Sequence, residues 1–196
     1  MTVPALARED LPAHPRFPAQ TLLLEAHESF RKRAVWIRER VEAIAPSGPI
    51  RSSGPAVLNR RQRWRLRMAD DFAWWMKGMR GHERYEERRL YPFLARRYGY
   101  SFAALEQAHR MLHEQERAVT DSFAALVPGA GDEPVRHAAL LAALCAYEDA
   151  LRAHLAAEEE LIIPMLLALE PAELDGFRSG AAEPPTFAPA PDTPAG

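Results

Sequence analysis

Apolar residues recur along this chain every three to four positions in four long runs, the spacing that lines one face of an α-helix. The first run, Gln20–Ala45, places Leu23, His27, Phe30, Ile37 and Val41 on one stripe. The second, roughly Ala56–Arg97, carries Met68, Phe72, Trp75, Met79, His82, Glu86, Leu90 and Phe93. A third begins at Ser101, a residue type suited to N-capping, and aligns Phe102, Leu105, His109, Leu112 and Phe123. The fourth begins at Pro134, a favoured first-turn residue, and runs through Leu141, Leu144, Leu151, His154 and Ile162. No run of alternating β-branched residues competes with them. The pattern predicts an all-α protein: an up-down-up-down antiparallel four-helix bundle with Pro-rich N- and C-terminal extensions.

Proline and glycine mark the joints, at 46–55, 98–101 and 128–134. Residues 1–19 read as a loose N-terminal segment, 20–170 as the bundle, and 171–196 as a disordered Pro/Ala-rich tail. Composition narrows the function classes. Lys and Arg number 25 against 27 Asp and Glu, a net charge of −2 that argues against a nucleic-acid partner. The longest uncharged apolar stretch, Ala138–Tyr147, is too short for a membrane span, which needs about 20 residues. A single cysteine, Cys145, excludes a disulfide framework within the chain and reads as an inert buried thiol. With no apolar signal segment at the N-terminus, a cytoplasmic location is expected.

The chemistry lies on the stripes themselves. His27 stands alone on the first. His82 and Glu86 occupy the second, His109 and His113 the third, and His154 and Glu158 the fourth, each pair four residues apart. An i, i+4 pair points two side chains the same way, one turn apart, which suits two ligands of one metal site. Without a partner, each buried neutral polar group costs about 1–3 kcal/mol, so a cation is expected to offset them. The segments 82–94 and 154–166 also match in register: His, three residues, Glu-Glu, then Pro ten positions and Leu twelve positions after the His. That repeat predicts a pseudo-twofold site with one bridging carboxylate from each half, and prolines that kink or end their helices beyond it.

Five imidazoles and two carboxylates exceed the four ligands of one tetrahedral zinc and are too rich in nitrogen for Ca²⁺ or Mg²⁺. They suit two octahedral irons, with manganese or zinc as poorer fits: of about twelve positions these side chains fill about nine, a bridging oxygen would fill two more, and one stays open. His14 and His137 read as ordinary, and Glu83, Glu87, Glu159 and Glu160 as solvated, with Glu87 or Glu159 able to substitute as a ligand if the helix register drifts. The Arg60–Arg67 stretch reads as a solvated face, and Trp64, Trp74, Trp75 and Phe72 as core or half-buried packing. Tyr85 and Tyr147 lie within two turns of the ligands, close enough to donate to the site, but structural packing is the favoured reading for both.

His27, His82-x3-Glu86, His109-x3-His113 and His154-x3-Glu158 together resemble the hemerythrin-like (HHE cation-binding) family over roughly residues 20–170. The resemblance implies a non-haem di-iron centre with a bridging oxygen. It assigns His109, His113 and His154 to one iron, His27 and His82 to the other, and Glu86 and Glu158 as bridges, with the vacant position on the His27/His82 iron. It further implies a small ligand, O₂, NO or peroxide, bound for sensing, scavenging or storage. A peroxide-consuming enzyme at the same centre, or an interaction module with a structural metal, are the alternatives.

Overall fold

The computed structural model describes residues 11, 13–14, 21–44, 60–126 and 133–179. Among them the chain is helical and contains no strand. The expected connection at 46–55, residues 128–132 of the next joint, and the tail from 180 onward lie outside the described residues.

Helix α1 spans Thr21–Glu42, α2 Arg60–Tyr85, α3 Tyr91–Tyr98, α4 Ala103–Ala125, α5 Glu133–Leu167 and α6 Pro171–Ser179. Between α2 and α3 the chain stays helical but widens into one π-turn, Glu86–Leu90. The π-turn closes with the Tyr91 N–H donating to the Glu86 carbonyl. Pro92 explains its position. A proline has no N–H and its ring crowds the carbonyl four residues back, and a widened turn relieves both problems without ending the helix. Pro164 likewise lies inside α5, which ends three residues later at Leu167. The sequence-predicted breaks are thus a bulge in one half and a nearby terminus in the other.

Gly99 ends α3 in the left-handed conformation, φ 64°, with its N–H on the Ala95 carbonyl at 2.8 Å. Only glycine adopts this conformation without steric cost. Helix α4 starts one residue later than the sequence predicts. Phe102 occupies its N-cap position, and Ser101 Oγ accepts a long hydrogen bond from the Ala103 N–H at 3.4 Å.

Cross-helix pairs run in opposite senses. On α1 and α5, Arg31 meets Glu159, Arg38 meets Glu148, and the Val41 carbonyl accepts from His137 Nε2. Between α2 with its π-turn and α4, Arg80 meets Glu116, while Glu83 and Glu87 meet His113 and His109. Helices α1 and α2 are linked by Arg33–Asp71 and His27–His82, and α4 and α5 by His109–His154. The result is a helical bundle.

The apolar stripes close into two main clusters. One joins Phe30, Ile37, Phe72, Trp75, Met79, Leu112, Val119, Leu144, Leu151 and Leu155. The other joins Leu90, Leu94, Phe102, Leu105, Ile162, Met165 and Leu174. On every long helix the histidines and glutamates of interest fall at the level between them. Each fully buried Leu or Ile contributes roughly 1.5–3 kcal/mol, so a polar layer here is held between two strong apolar clamps.

Some expectations are corrected. Residues 171–179, assigned to a disordered tail, form α6: Leu174 is buried, Phe177 stacks on Phe93 at 4.6 Å and Glu173 pairs with Arg97. Of the segment 1–19, expected to be loose, residues 1–10, 12 and 15–19 lie outside the described residues, and Leu11 is buried against Ile163 and Leu167. Cys145 is exposed, because the buried positions of α5 run 140, 144, 147, 151 and leave 145 just off that stripe. Trp74 is 43% exposed beside a buried Trp75. In the arginine-rich stretch, Arg63 and Arg67 are exposed, as expected for a solvated face, while Arg65 pairs with Glu133.

Replacing Leu151, wholly buried in the larger cluster, with alanine is expected to cost about 2–5 kcal/mol in denaturant unfolding. Gly99→Ala is expected to cost about 1 kcal/mol for the left-handed backbone alone.

Candidate metal centre

Six of the seven sequence-predicted ligands meet in the polar layer. His27 from α1, His82 from α2, Glu86 from the π-turn, His109 from α4, and His154 and Glu158 from α5 converge there. The imidazoles form two couples: His27 Nε2 lies 3.1 Å from His82 Nε2, and His109 Nε2 lies 3.1 Å from His154 Nε2. The carboxylates lie between the couples. Glu86 Oε1 is 2.7 Å from His82 Nε2, and its Oε2 is 3.6 Å from His109 Nε2. Glu158 Oε2 is 3.4 Å from His27 Nε2 and 3.5 Å from His154 Nε2. Donor atoms of His27, His82, Glu86 and Glu158 all lie within 4.8 Å of one another, a spacing that one cation can span.

The rear nitrogens settle which way two of the rings point. His27 Nδ1 is 3.0 Å from Glu159 Oε1, which also accepts from Arg31 Nη2 at 2.8 Å. His109 Nδ1 is 2.9 Å from Glu87 Oε1. A carboxylate can only accept, so each Nδ1 carries the proton and each Nε2 lone pair faces the centre. This arrangement of a carboxylate behind a histidine orients metal ligands and raises their basicity. Glu159 and Glu83, read from sequence as solvated, are therefore buried and paired. The duplicated Glu-Glu following each His-x3 was the available signal: its first member faces the centre and its second supports a ring from behind.

His113 is not brought into the cluster. Its Nε2 meets Glu83 Oε2 at 2.7 Å, and its side chain is 43% exposed. The buried stripe of α4 runs Leu105, His109, Leu112, Glu116, Val119. After His109 the stripe steps by three, so a residue four further on is turned toward α2. Tyr85 and Tyr147 pack on aromatic neighbours, Phe177 for one and Trp75 with Phe72 for the other. The tyrosine that reaches the site is Tyr91, whose hydroxyl donates to Glu158 Oε1 at 2.7 Å.

Electrostatics agree with the geometry. Burial holds the His27 and His82 imidazoles below their usual range and lowers His154 to about 3, so all three favour the neutral, ligating form. Burial also raises the carboxyls of Glu86 and Glu158 to about 8, with neighbouring carboxylates adding to the effect. At Glu159 burial is outweighed by the hydrogen bonds from His27 and Arg31, and its carboxyl is lowered.

Both oxygens of Glu86, Glu158 Oε2 and His154 Nδ1 are buried without a hydrogen-bond partner. Each unsatisfied group costs about 1–3 kcal/mol, and a charged one more. Inward-facing lone pairs and unpartnered carboxylate oxygens form a donor set that fits a divalent cation.

Stability should follow these shifts. In metal-free protein the Glu86 and Glu158 contribution is fully present below 4.5 and is lost as pH rises through about 8. The His27, His82 and His154 contribution is lost as pH falls below 6.5, where the unfolded imidazoles take up protons. The metal-free protein is therefore expected to be most stable at about pH 6–7. The rise in Tm on adding Fe²⁺ should be larger at pH 8 than at pH 6, because a cation replaces the protons held by the carboxyls. Thermal melts with and without chelator at both pH values check this.

A family model described as the hemerythrin HHE cation binding domain matches residues 19–171. No curated protein and no solved structure gives a significant match.

Proposed function

The chain belongs to the hemerythrin HHE cation-binding family, and from that premise we propose that it is an up-down-up-down four-helix bundle holding two iron ions for a small ligand. In this reading His27 and His82 hold one ion, His109 and His154 hold the other, and Glu86 and Glu158 serve both. The observation that carries it is the pairing of the four Nε2 atoms about two carboxylates whose inward oxygens lack any hydrogen-bond partner. His113, the seventh residue of the family pattern, contributes a pair with Glu83 instead. The ion held by His109 and His154 then has one protein ligand fewer than the seven-residue pattern provides, the ion held by His27 and His82 keeps the same set, and open positions fall in both halves.

When bound, such irons supply redox chemistry and coordination positions for O₂, NO or peroxide. The chain's own residues do the rest. Glu159, clamped by Arg31, and Glu87 hold the His27 and His109 rings in one tautomer. The apolar clusters on either side exclude water. His82 is the most open of the six, its side chain 13% exposed, and Phe30 lies edge-on to it at 5.1 Å. A small ligand would enter past this pair. No helix long and apolar enough to cross a membrane is present among the described residues.

Purified protein is expected to carry about two irons per chain by elemental analysis and to show a visible spectrum that changes with dithionite and azide. His109→Ala should lose at least one ion and His113→Ala should keep both. Glu86→Ala should lower occupancy and Tm together, because metal binding is coupled to folding. A protein that takes up only zinc and stays redox-silent would instead favour a structural metal. Equal loss in His109→Ala and His113→Ala would restore the seven-residue set.

A further inference from the structure

The two site carboxylates occupy equivalent places in a repeated sequence, yet their oxygens are used differently. Glu86 spans the centre with both: Oε1 faces His82, and Oε2 faces His109. Glu158 offers only Oε2, which faces both His27 and His154, while Oε1 is held by the Tyr91 hydroxyl. The unpartnered buried oxygens agree: two on Glu86, one on Glu158.

The cause lies in the backbone. At 3.6 residues per turn, the residue five beyond Glu86 points about 140° away from it, whereas the fourth stays near its face. In an unbroken α-helix that fourth residue, Leu90, would be nearest the site. The π-turn at 86–90 closes i to i+5 and carries Tyr91 round to the site-facing side. In the other half α5 continues unbroken past Glu158, and the residue in register with Tyr91 is Ile163, an apolar side chain with no hydroxyl to offer. The ring of Tyr91 is fixed independently of its hydroxyl, stacked on Phe102 at 4.8 Å and on His109 at 6.0 Å.

We propose that Tyr91 is a positioning residue that makes the two carboxylates bridge in unlike modes, Glu86 through both oxygens and Glu158 through Oε2 alone. The proposal rests on the two-metal reading above. Pseudo-symmetry in sequence thereby becomes asymmetry at the centre, and the π-turn is the device that creates it.

Infrared difference spectroscopy of iron-loaded minus metal-free protein, with ¹³C-labelled glutamate, tests it. A carboxylate bridging through one oxygen has a wider gap between its antisymmetric and symmetric stretches than one bridging through two. Wild-type protein should show one wide and one narrow gap. In Tyr91→Phe, which keeps the stacked ring, the wide gap should be lost while two irons per chain remain. Incorporating 3-fluorotyrosine at position 91, which keeps the hydroxyl, should retain it, so loss of folding cannot be mistaken for loss of the hydrogen bond. Two irons with a single class of gap in wild type, or a spectrum unchanged in Tyr91→Phe, overturns this proposal alone. So does a phenolate-to-iron charge-transfer band that disappears in Tyr91→Phe, since it would put the Tyr91 oxygen on the metal. One iron per chain overturns the two-metal reading and this proposal with it.

Discussion

Two glutamates, Glu86 and Glu158, are sealed at zero exposure between two apolar clusters, and their charge has nowhere to go. Moving an isolated carboxylate into such surroundings costs tens of kcal/mol in an idealised continuum and several after relaxation. Only a bound proton or a cation can relieve that cost here. Three of the surrounding imidazoles, those of His27, His82 and His154, are held neutral by the same burial, so they cannot supply the missing positive charge but can hold a metal that does. Burial that weakens the empty site thus prepares the loaded one.

Around this layer a second ring of groups fixes the first. Arg31, Glu159 and His27 form one chain from surface to centre, and Glu87 with His109 forms its counterpart. The counterparts are unequal: the Glu159 side chain is 6% exposed and capped by arginine, while that of Glu87 is 40% exposed. A buried, arginine-bound carboxylate holds its ring more firmly than a hydrated one, because water competes less for its oxygens. The halves of the centre therefore differ in stiffness as well as in the bonding of their carboxylates.

The end of the bundle beyond the site has its own core. Leu90, Leu94, Phe102, Leu105, Ile162 and Met165 close it, with α6 laid across through Leu174 and Phe177. The Tyr98 hydroxyl donates to the Met165 carbonyl at 2.7 Å, tying α3 to the last turn of α5, whose end leaves carbonyls without intrahelical partners. This packing keeps the π-turn and Tyr91 in place, so stability at this end serves the geometry of the metal layer.

Periodicity alone determined the helical stripes, the level at which polar residues interrupt them, and the identity of six side chains that converge there. Each of these depends only on spacing along one helix. What the tertiary structure decided depends on how one helix is turned against another. His113 has the spacing of a ligand, but the rotation of α4 directs it to Glu83. Glu159 has the look of a surface residue, but α1 brings His27 and Arg31 onto it. Tyr91 lies at a spacing that points away from the centre in an α-helix, and only a widened turn ahead of Pro92 redirects it. Spacing is encoded locally; rotation and turn width are settled by the packing of neighbouring side chains, which no single segment contains.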